Sequence, residues 1–315
     1  MPLTAGAAVV IAAALDAAVA EPPDRVHPVA RFGRLVGAVD REWVNPRRVG
    51  VAAAVFLPLA FAAAAAAVVA AGSVLDPWVG VALAGLVLFS TTSLRMLLDS
   101  AREVVAEADA DVESARLSLR SLAGRDASEL DAAHLRSAAV ESVAENLADG
   151  LVAPLAAFAV CAPSSLALAA GAAAWVKGVN TLDSMLGYRS KPVGWAPARL
   201  DDAVMWVPAR LSALLLAVAA GTPTVVASDR VRWLARRPAS PNSGWPMATM
   251  AVTLPARLVK PGAYELDPAA YDLDPTTAGM GTPSLPSAAD ASRAVALARR
   301  AGLLAVALAV VVACS

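Results

Sequence analysis

Charge is scarce in this sequence. Only 17% of its 315 residues are Asp, Glu, Lys or Arg, and 58% are hydrophobic, whereas an ordinary soluble domain is about a quarter charged. With a mean hydropathy of +0.59, that deficit excludes an ordinary soluble enzyme and indicates a membrane protein. Cysteine is scarce as well: Cys161 and Cys314 both lie in apolar runs without C-x-x-C spacing. This argues against a disulfide framework or a zinc site and leaves both as small buried apolar residues. No cationic excess exists, since the net charge is -1 and the pI is near 6.1, so nothing global points to nucleic acid as a partner. The sequence has no GxxxxGK[ST], no GxGxxG opening a helix, no HExxH and no GxSxG; a nucleotide would bind without a familiar cradle. No basic segment precedes the first apolar run, so residues 3–20 are expected to stay as a membrane helix and not as a cleaved signal peptide.

Alanine is abundant, and it favours helix more than it favours lipid, so an all-α polytopic bundle is the expected fold class. A hydrocarbon core needs about 20 apolar residues in a helix. The runs at 49–72 and about 78–94, joined by the nearly uncharged "SVLDP", meet that need and predict a helical hairpin. The preceding loop, 21–48, carries Arg25, Arg31, Arg34, Arg41, Arg47 and Arg48, and loops of that kind stay cytoplasmic. Residues 95–147 read as amphipathic cytoplasmic helices, the second starting near an Asp126/Ser128 cap. The apolar runs at 151–176 and 211–227 are broken by "APSS" and "GTP", which predicts either proline-kinked crossings or re-entrant half-helices, with re-entry favoured for the first. A final run, 301–313, is short for a span unless its helix begins upstream near Ala294, and 264–290 reads as loop. The whole chain is expected to be a single membrane domain of five to eight spans.

Three polar clusters interrupt this apolar background. In "ESVAENLADG", Glu141, Glu145 and Asp149 follow an i, i+4 spacing with Asn146 alongside. Like charges at that spacing repel, and acids oppose the dipole of a helix that ends or kinks near Gly150 and Pro154. Two readings fit: a cation-binding or catalytic stripe, or the solvated face of an amphipathic helix. The second cluster, residues 177–211, sets Lys177, Asn180 and Asp183 at helical spacing, then Arg199, Asp201, Asp202 and Arg210. Interleaved carboxylates, amides and arginines suit a magnesium-bound phosphate compound, and surface salt bridges with Trp195 and Trp206 as interfacial anchors are the plain alternative. In the third, Asp16 is an ionisable residue near the end of an apolar span, and His27 precedes Pro28 as a proton carrier or a turn residue.

The polar blocks "LDAAVAEPPDRVHPVARFGRL", "ESVAENLADGLVAPL", "NTLDSMLGY", "GWAPARLDDAVMWVPARL" and "SPNSGWPMATMAVTLPARL" resemble, in order over roughly residues 10–265, the CobD/CbiB family of cobalamin biosynthesis, the adenosylcobinamide-phosphate synthases. The resemblance implies an ATP-dependent acid–amine ligase in the bacterial inner membrane with its active site facing the cytoplasm. Its substrates would be adenosylcobyric acid and (R)-1-amino-2-propanol or its O-phosphate, with Mg2+ and ATP required. Membrane lipid, a second copy of the chain or other cobalamin-pathway enzymes are the implied partners. By the same resemblance Glu141, Glu145, Asp149 and Asp183 are the catalytic candidates, with Glu145, Asp149, Asp183 and Asp202 as metal ligands. Asp16, His27, Asn146, Lys177, Asn180, Arg199, Asp201, Asp202, Arg210 and Asn242 are implied in substrate or nucleotide binding, Asn242 toward the corrinoid's amide rim.

The sequence also departs from the family pattern. Its G-D-P is Ala20-Glu21-Pro22, the asparagine after the paired aspartates is Met205, glycines after "SPNSGWPMATMA" are replaced, and "GYRSKPVGW" is short. The intact acidic blocks favour a lineage variant over a lost site. The rival from another class is a transporter or a membrane sensor of the AmpE type; against it, the acids gather at the ends of spans and not at their middles.

Overall fold

The computed structural model describes residues 2–124, 126–271 and 284–315. Its helices, in chain order, are α1 (Pro2–Val19), α2 (Pro28–Gly37), α3 (Pro46–Leu75), α4 (Pro77–Thr91), α5 (Leu94–Ala110), α6 (Val112–Leu122), α7 (Ala132–Leu147), α8 (Ala153–Cys161), α9 (Leu166–Leu186), α10 (Trp195–Val204), α11 (Trp206–Ala219), α12 (Asp229–Leu234), α13 (Gly244–Thr253) and α14 (Ala288–Ala313). A π-helical turn, Ala148–Val152, links α7 to α8, and a two-stranded antiparallel hairpin, β1 (Leu258–Lys260) and β2 (Tyr264–Leu266), pairs Val259 with Glu265. The fold is an all-α membrane bundle, as expected; the hairpin was not foreseen.

Four helices are long and apolar enough to cross a membrane: Pro46–Leu75, Pro77–Ala110, Ala132–Cys161 and Ala288–Ala313, with Pro192–Val204 and Trp206–Ala219 as a fifth, bent by 48°. Five is thus the upper bound among the described residues, at the low end of the expected range. The tight turn after α3 is a single residue, Asp76, whose carboxylate accepts the Trp78 N–H at 2.8 Å and caps α4. The last helix does begin upstream, at Ala288. Part of the stretch expected as a cytoplasmic insertion belongs to two of the long helices. At 1.5 Å per residue the 34-residue helix Pro77–Ala110 is about 51 Å long, leaving roughly 20 Å beyond a hydrocarbon core, enough for its amphipathic end.

The described residues divide into two compact units. The first takes residues 1–94, 149–208 and 305–315, and the second 95–148 and 209–304. In the first, α3 packs along α9 and α4, α1 along α4, and α8 along α9. Alanine makes this possible: Ala169, Ala170, Ala173 and Ala174 of α9 are fully buried, and small side chains let helices approach closely where lipid supplies no hydrophobic drive between them. The "APSS" break reverses the chain, so that α9 folds back on α8. At one end Phe32, Val36, Ala54, Leu182, Leu186 and Val193 form a core, with Phe32 stacked on Phe61 at 4.8 Å between ring centroids.

The end or kink expected near Gly150 and Pro154 takes the form of the π turn between α7 and α8, which absorbs the proline. Pro154 has no N–H to give the Gly150 carbonyl four residues earlier. That carbonyl accepts the Ser93 N–H instead, at 2.9 Å. Ser93 lies in the break between α4 and α5, and the next N–H, that of Leu94, donates to the Asp16 carboxylate at 3.0 Å. Asp16 is buried, so this ionisable residue of α1 caps a helix distant in sequence. Replacing it by Ala is expected to lower stability by about 1–2 kcal/mol in thermal unfolding of the detergent-solubilised protein, while Asp16→Asn, which keeps an acceptor oxygen, recovers most of the loss.

In the second unit α7 packs on α6, α13 and β1, and α12 on α13. The cap of α7 is Asp131, not the Asp126/Ser128 pair: its carboxylate accepts the His134 N–H at 2.9 Å, while Asp126 accepts from Ser128 in the preceding turn. Arg136 pairs with Asp109 and donates to the Pro286 carbonyl at 2.9 Å. Glu141 is fully buried and accepts from Ser137 Oγ at 3.0 Å and Tyr264 Oη at 2.7 Å; Ser137 Oγ also accepts the Val259 N–H at 2.8 Å. The hairpin is thereby fastened to α7.

Candidate functional site

The first unit gathers most of the second sequence cluster. α9 carries Lys177, Asn180 and Asp183 along its polar end, and α10 carries Asp201 and Asp202 in its last turns, just before the bend at the buried Met205. The connection between these helices is short because two glycines cross. A Cβ on Gly194 would run into the backbone carbonyl of Leu186 and sit 3.0 Å from the Gly187 Cα, and a Cβ on Gly187 would strike the Asp183 carboxylate. Only glycine permits that approach. Lys191 closes the same loop, donating to Asp40 at 2.6 Å and to the Met185 carbonyl at 3.1 Å.

The result is a concentration of negative charge. Asn180 gives Asp201 a side-chain hydrogen bond, and the carboxylates of Asp149, Asp183 and Asp202 all act on Asp201 electrostatically. Burial first, and then the Asp202 charge, push the Asp183 carboxyl up to about 6. The cation answering this charge is Lys177. Burial holds its ammonium below the usual lysine range, and the charges of Asp149 and then Glu21 work against that shift. Asp149 in the π turn and Glu21 after α1 therefore complete the cluster. Glu21 was missed as a site residue, although the carboxylate kept within Ala20-Glu21-Pro22 was its signal. One buried oxygen, Asp201 Oδ1, has no hydrogen-bond partner among the described residues, an arrangement that costs free energy unless a cation or donor arrives.

Of the remaining expected residues, His27 and Arg199 border the cluster and others lie in the second unit. His27 is buried and caps α2: its Nδ1 accepts the Val29 N–H at 3.2 Å, and its Nε2 faces Glu21 at 3.6 Å. Arg199 is exposed, 3.8 Å from Asp202. Glu141, Glu145, Asn146, Arg210 and Asn242 belong to the second unit. There Asn146 donates to the Leu122 carbonyl at 3.0 Å, and Arg210 donates to the Asn242 side-chain oxygen at 2.6 Å while lying 5.0 Å from the Trp245 ring centroid. Of the expected metal ligands, Asp149, Asp183 and Asp202 share the first-unit cluster. Among the described residues no three His, Cys, Asp or Glu side chains form a ready-made metal cage. Magnesium does not need one, since it is commonly held by one or two carboxylates together with substrate phosphates and water.

The sequence model for the CobD/Cbib protein family matches residues 9–298. The chain belongs to the CobD/CbiB family. It is similar to the cobalamin biosynthesis protein CobD of Rhodobacter capsulatus, at 36% identity over 285 residues, covering 87% of this chain and 85% of the relative. A probable cobalamin biosynthesis protein CobD of Methanothermobacter thermautotrophicus is 33% identical over 267 residues, covering 81% and 84%. The cobalamin biosynthesis protein CbiB of Salmonella choleraesuis is 33% identical over 268 residues, covering 81% and 82%. No solved structure matches the chain.

Membership gives the first departure from the family pattern a physical meaning. Ala20, standing where the pattern has glycine, adopts φ +69°, a left-handed conformation that costs a non-glycine residue about 1 kcal/mol. Ala20→Gly is expected to raise stability by about that amount in thermal unfolding. Gly194→Ala should do the opposite, costing about 1–3 kcal/mol as α10 is forced from α9, and should lower activity more than the stability loss alone explains.

Proposed function

We propose that the protein is a ligase of cobalamin assembly that joins a propionate carboxylate of adenosylcobyric acid to (R)-1-amino-2-propanol or its O-phosphate, with ATP consumed. The observation that carries this reading is the cluster of Asp149, Asn180, Asp183, Asp201 and Asp202, with Lys177 beside Asp149 and Asp201 Oδ1 without a hydrogen-bond partner among the described residues. The names of the relatives supply the pathway. A magnesium ion at Asp149 and Asp202 would neutralise triphosphate charge and leave Asp183 free to act as a base, and the orphaned Asp201 oxygen and the crowding of carboxylates fit a site that expects a cation.

The chemistry needs positioning and charge neutralisation more than covalent help. A propionate oxygen attacks the γ-phosphorus of ATP, the bond to the bridging oxygen breaks, and ADP leaves behind an acyl phosphate. The amine nitrogen then attacks the acyl carbon, phosphate departs with the electron pair of the C–O bond, and the nitrogen loses a proton. Asp183, pushed up to about 6, is well matched to take that proton near neutrality. Lys177 stands ready to meet phosphate oxygens, and the exposed Arg199 can reach outward to a polyphosphate. The arginines of residues 21–48 favour a cytoplasmic site on the bacterial inner membrane, where ATP is available.

The test is reconstitution. Purified protein given adenosylcobyric acid, Mg-ATP and aminopropanol phosphate should release ADP and form an amide detectable by mass spectrometry. Asp183→Asn and Asp201→Asn should each lower kcat by roughly 10²-fold or more, whereas Glu141→Gln should act chiefly on stability. Because Asp183 must be ionised to accept a proton, the wild-type rate should fall as pH drops through about 6. Protein that stays folded yet forms neither product would overturn the ligase reading.

A further inference from the structure

Glu21 and His27 border the acidic cluster, and the ligation steps give neither a task. Both belong to the turn between α1 and α2, which is tightly built. The Ala20 N–H donates to the Asp16 carbonyl at 2.9 Å, the Glu21 N–H to the Val19 carbonyl at 3.0 Å, and the His27 N–H to the Pro23 carbonyl at 3.0 Å. Between these anchors Pro22 and Pro23 fix their own φ angles. Ala20, directly before Glu21, holds φ +69°, and strain of that kind persists where the surroundings over-determine it, commonly at working sites.

The way Glu21 is held follows from the cap of α2. His27 Nδ1 accepts the Val29 N–H at 3.2 Å, and an imidazole that accepts at Nδ1 carries its proton on Nε2. That Nε2 faces a Glu21 carboxylate oxygen at 3.6 Å, the two side chains being 8% and 28% exposed. At that distance the contact is electrostatic and not a full hydrogen bond, so His27 steadies the carboxylate without using up its charge. Beyond the turn, α2 packs along α9, with Phe32 and Val36 sharing a core with Leu182 and Leu186, and α9 carries Lys177. The charges of Asp149 and Glu21 both act on the Lys177 ammonium. With Asp149 assigned to the cation, Glu21 is the carboxylate left to hold it. A lysine needs such a partner, because its ammonium ends a flexible four-carbon stem and takes no fixed direction alone.

We infer that Glu21 is a positioning residue of the nucleotide site, steadied by His27 and orienting the Lys177 ammonium toward phosphate oxygens, a role that rests on the ligase reading because that reading supplies the phosphate.

Two measurements on the full-length, detergent-solubilised protein test it: Mg-ATP affinity by titration calorimetry, and Tm by thermal unfolding. Each is made on the wild type, Glu21→Gln, Lys177→Met and the double variant. Glu21→Gln should weaken Mg-ATP binding about tenfold, and in the Lys177→Met background the same change should have little further effect. The Tm cycle should be non-additive by roughly 2–4 °C, the double variant melting above the sum of the single losses. A role confined to His27 would not produce that coupling. Glu21→Asp, which keeps the charge one methylene further back, should lose no more than about threefold in affinity, and it takes the place of Glu21→Gln in the cycle if that variant folds poorly. Asp24→Asn, an exposed charge lost from the same turn, should change neither reading. An additive Tm cycle, unchanged Mg-ATP affinity in Glu21→Gln, or an equal loss with and without Lys177 would each overturn the inference. Coupling intact in a protein that binds Mg-ATP yet forms no amide would overturn the ligase reading alone, and a wild type that binds no Mg-ATP would overturn both.

Discussion

Backbone polar groups that a helix cannot satisfy itself govern the first unit. In a bundle this apolar, an unpaired N–H or C=O has no water to turn to, and a proline inside a helix or a break between helices creates one. Pro154 frees the Gly150 carbonyl, and the break before α5 frees the N–H groups of Ser93 and Leu94; these meet one another and the Asp16 carboxylate. A proline in one helix, a break in a second and an acid on a third are thus parts of one accommodation, and the π turn that results carries Asp149. The irregular backbone is tolerated because it is buried in protein, and it is also where chemistry-bearing side chains can be placed.

The second constraint is electrostatic. Asp149, Asp183, Asp201 and Asp202 are crowded together with Lys177 beside Asp149 and the exposed Arg199 beside Asp202 to oppose them, and the glycine crossing at Gly187 and Gly194 brings α9 and α10 close. A fold selected for stability alone would separate such charges. Their convergence at the polar ends of α9 and α10 fits a site completed by a positively charged or proton-donating ligand.

Much of the architecture was legible in the sequence because it is written in apolar run length and in proline and glycine punctuation. The α3–α4 hairpin, the reversal at "APSS", the break at "GTP" and the upstream start of α14 follow from those signals. The fate of Pro154 did not, since whether a proline ends a helix depends on whether another chain segment offers a donor to the stranded carbonyl, and Ser93 is far away in sequence. That Asp183, Asp201 and Asp202 would gather in one cluster was readable from residue type and spacing. Roles were less readable where partners decide them: Asp16, His27 and Glu141 look alike as isolated polar residues, yet one caps a distant helix, one caps its own, and one holds a hairpin.

The alanine faces of α9 have a mechanical corollary. Methyl groups make a smooth surface with few knobs to interlock, so neighbouring helices could slide along their axes at little cost in contact area. Axial register must then come from polar pins at the end of α9, where Asn180 hydrogen-bonds Asp201 and Lys191 ties the Met185 carbonyl to Asp40. Drift among small residues on the sliding faces is tolerable in such a design, whereas moving one pin by a single residue would shift a whole rod.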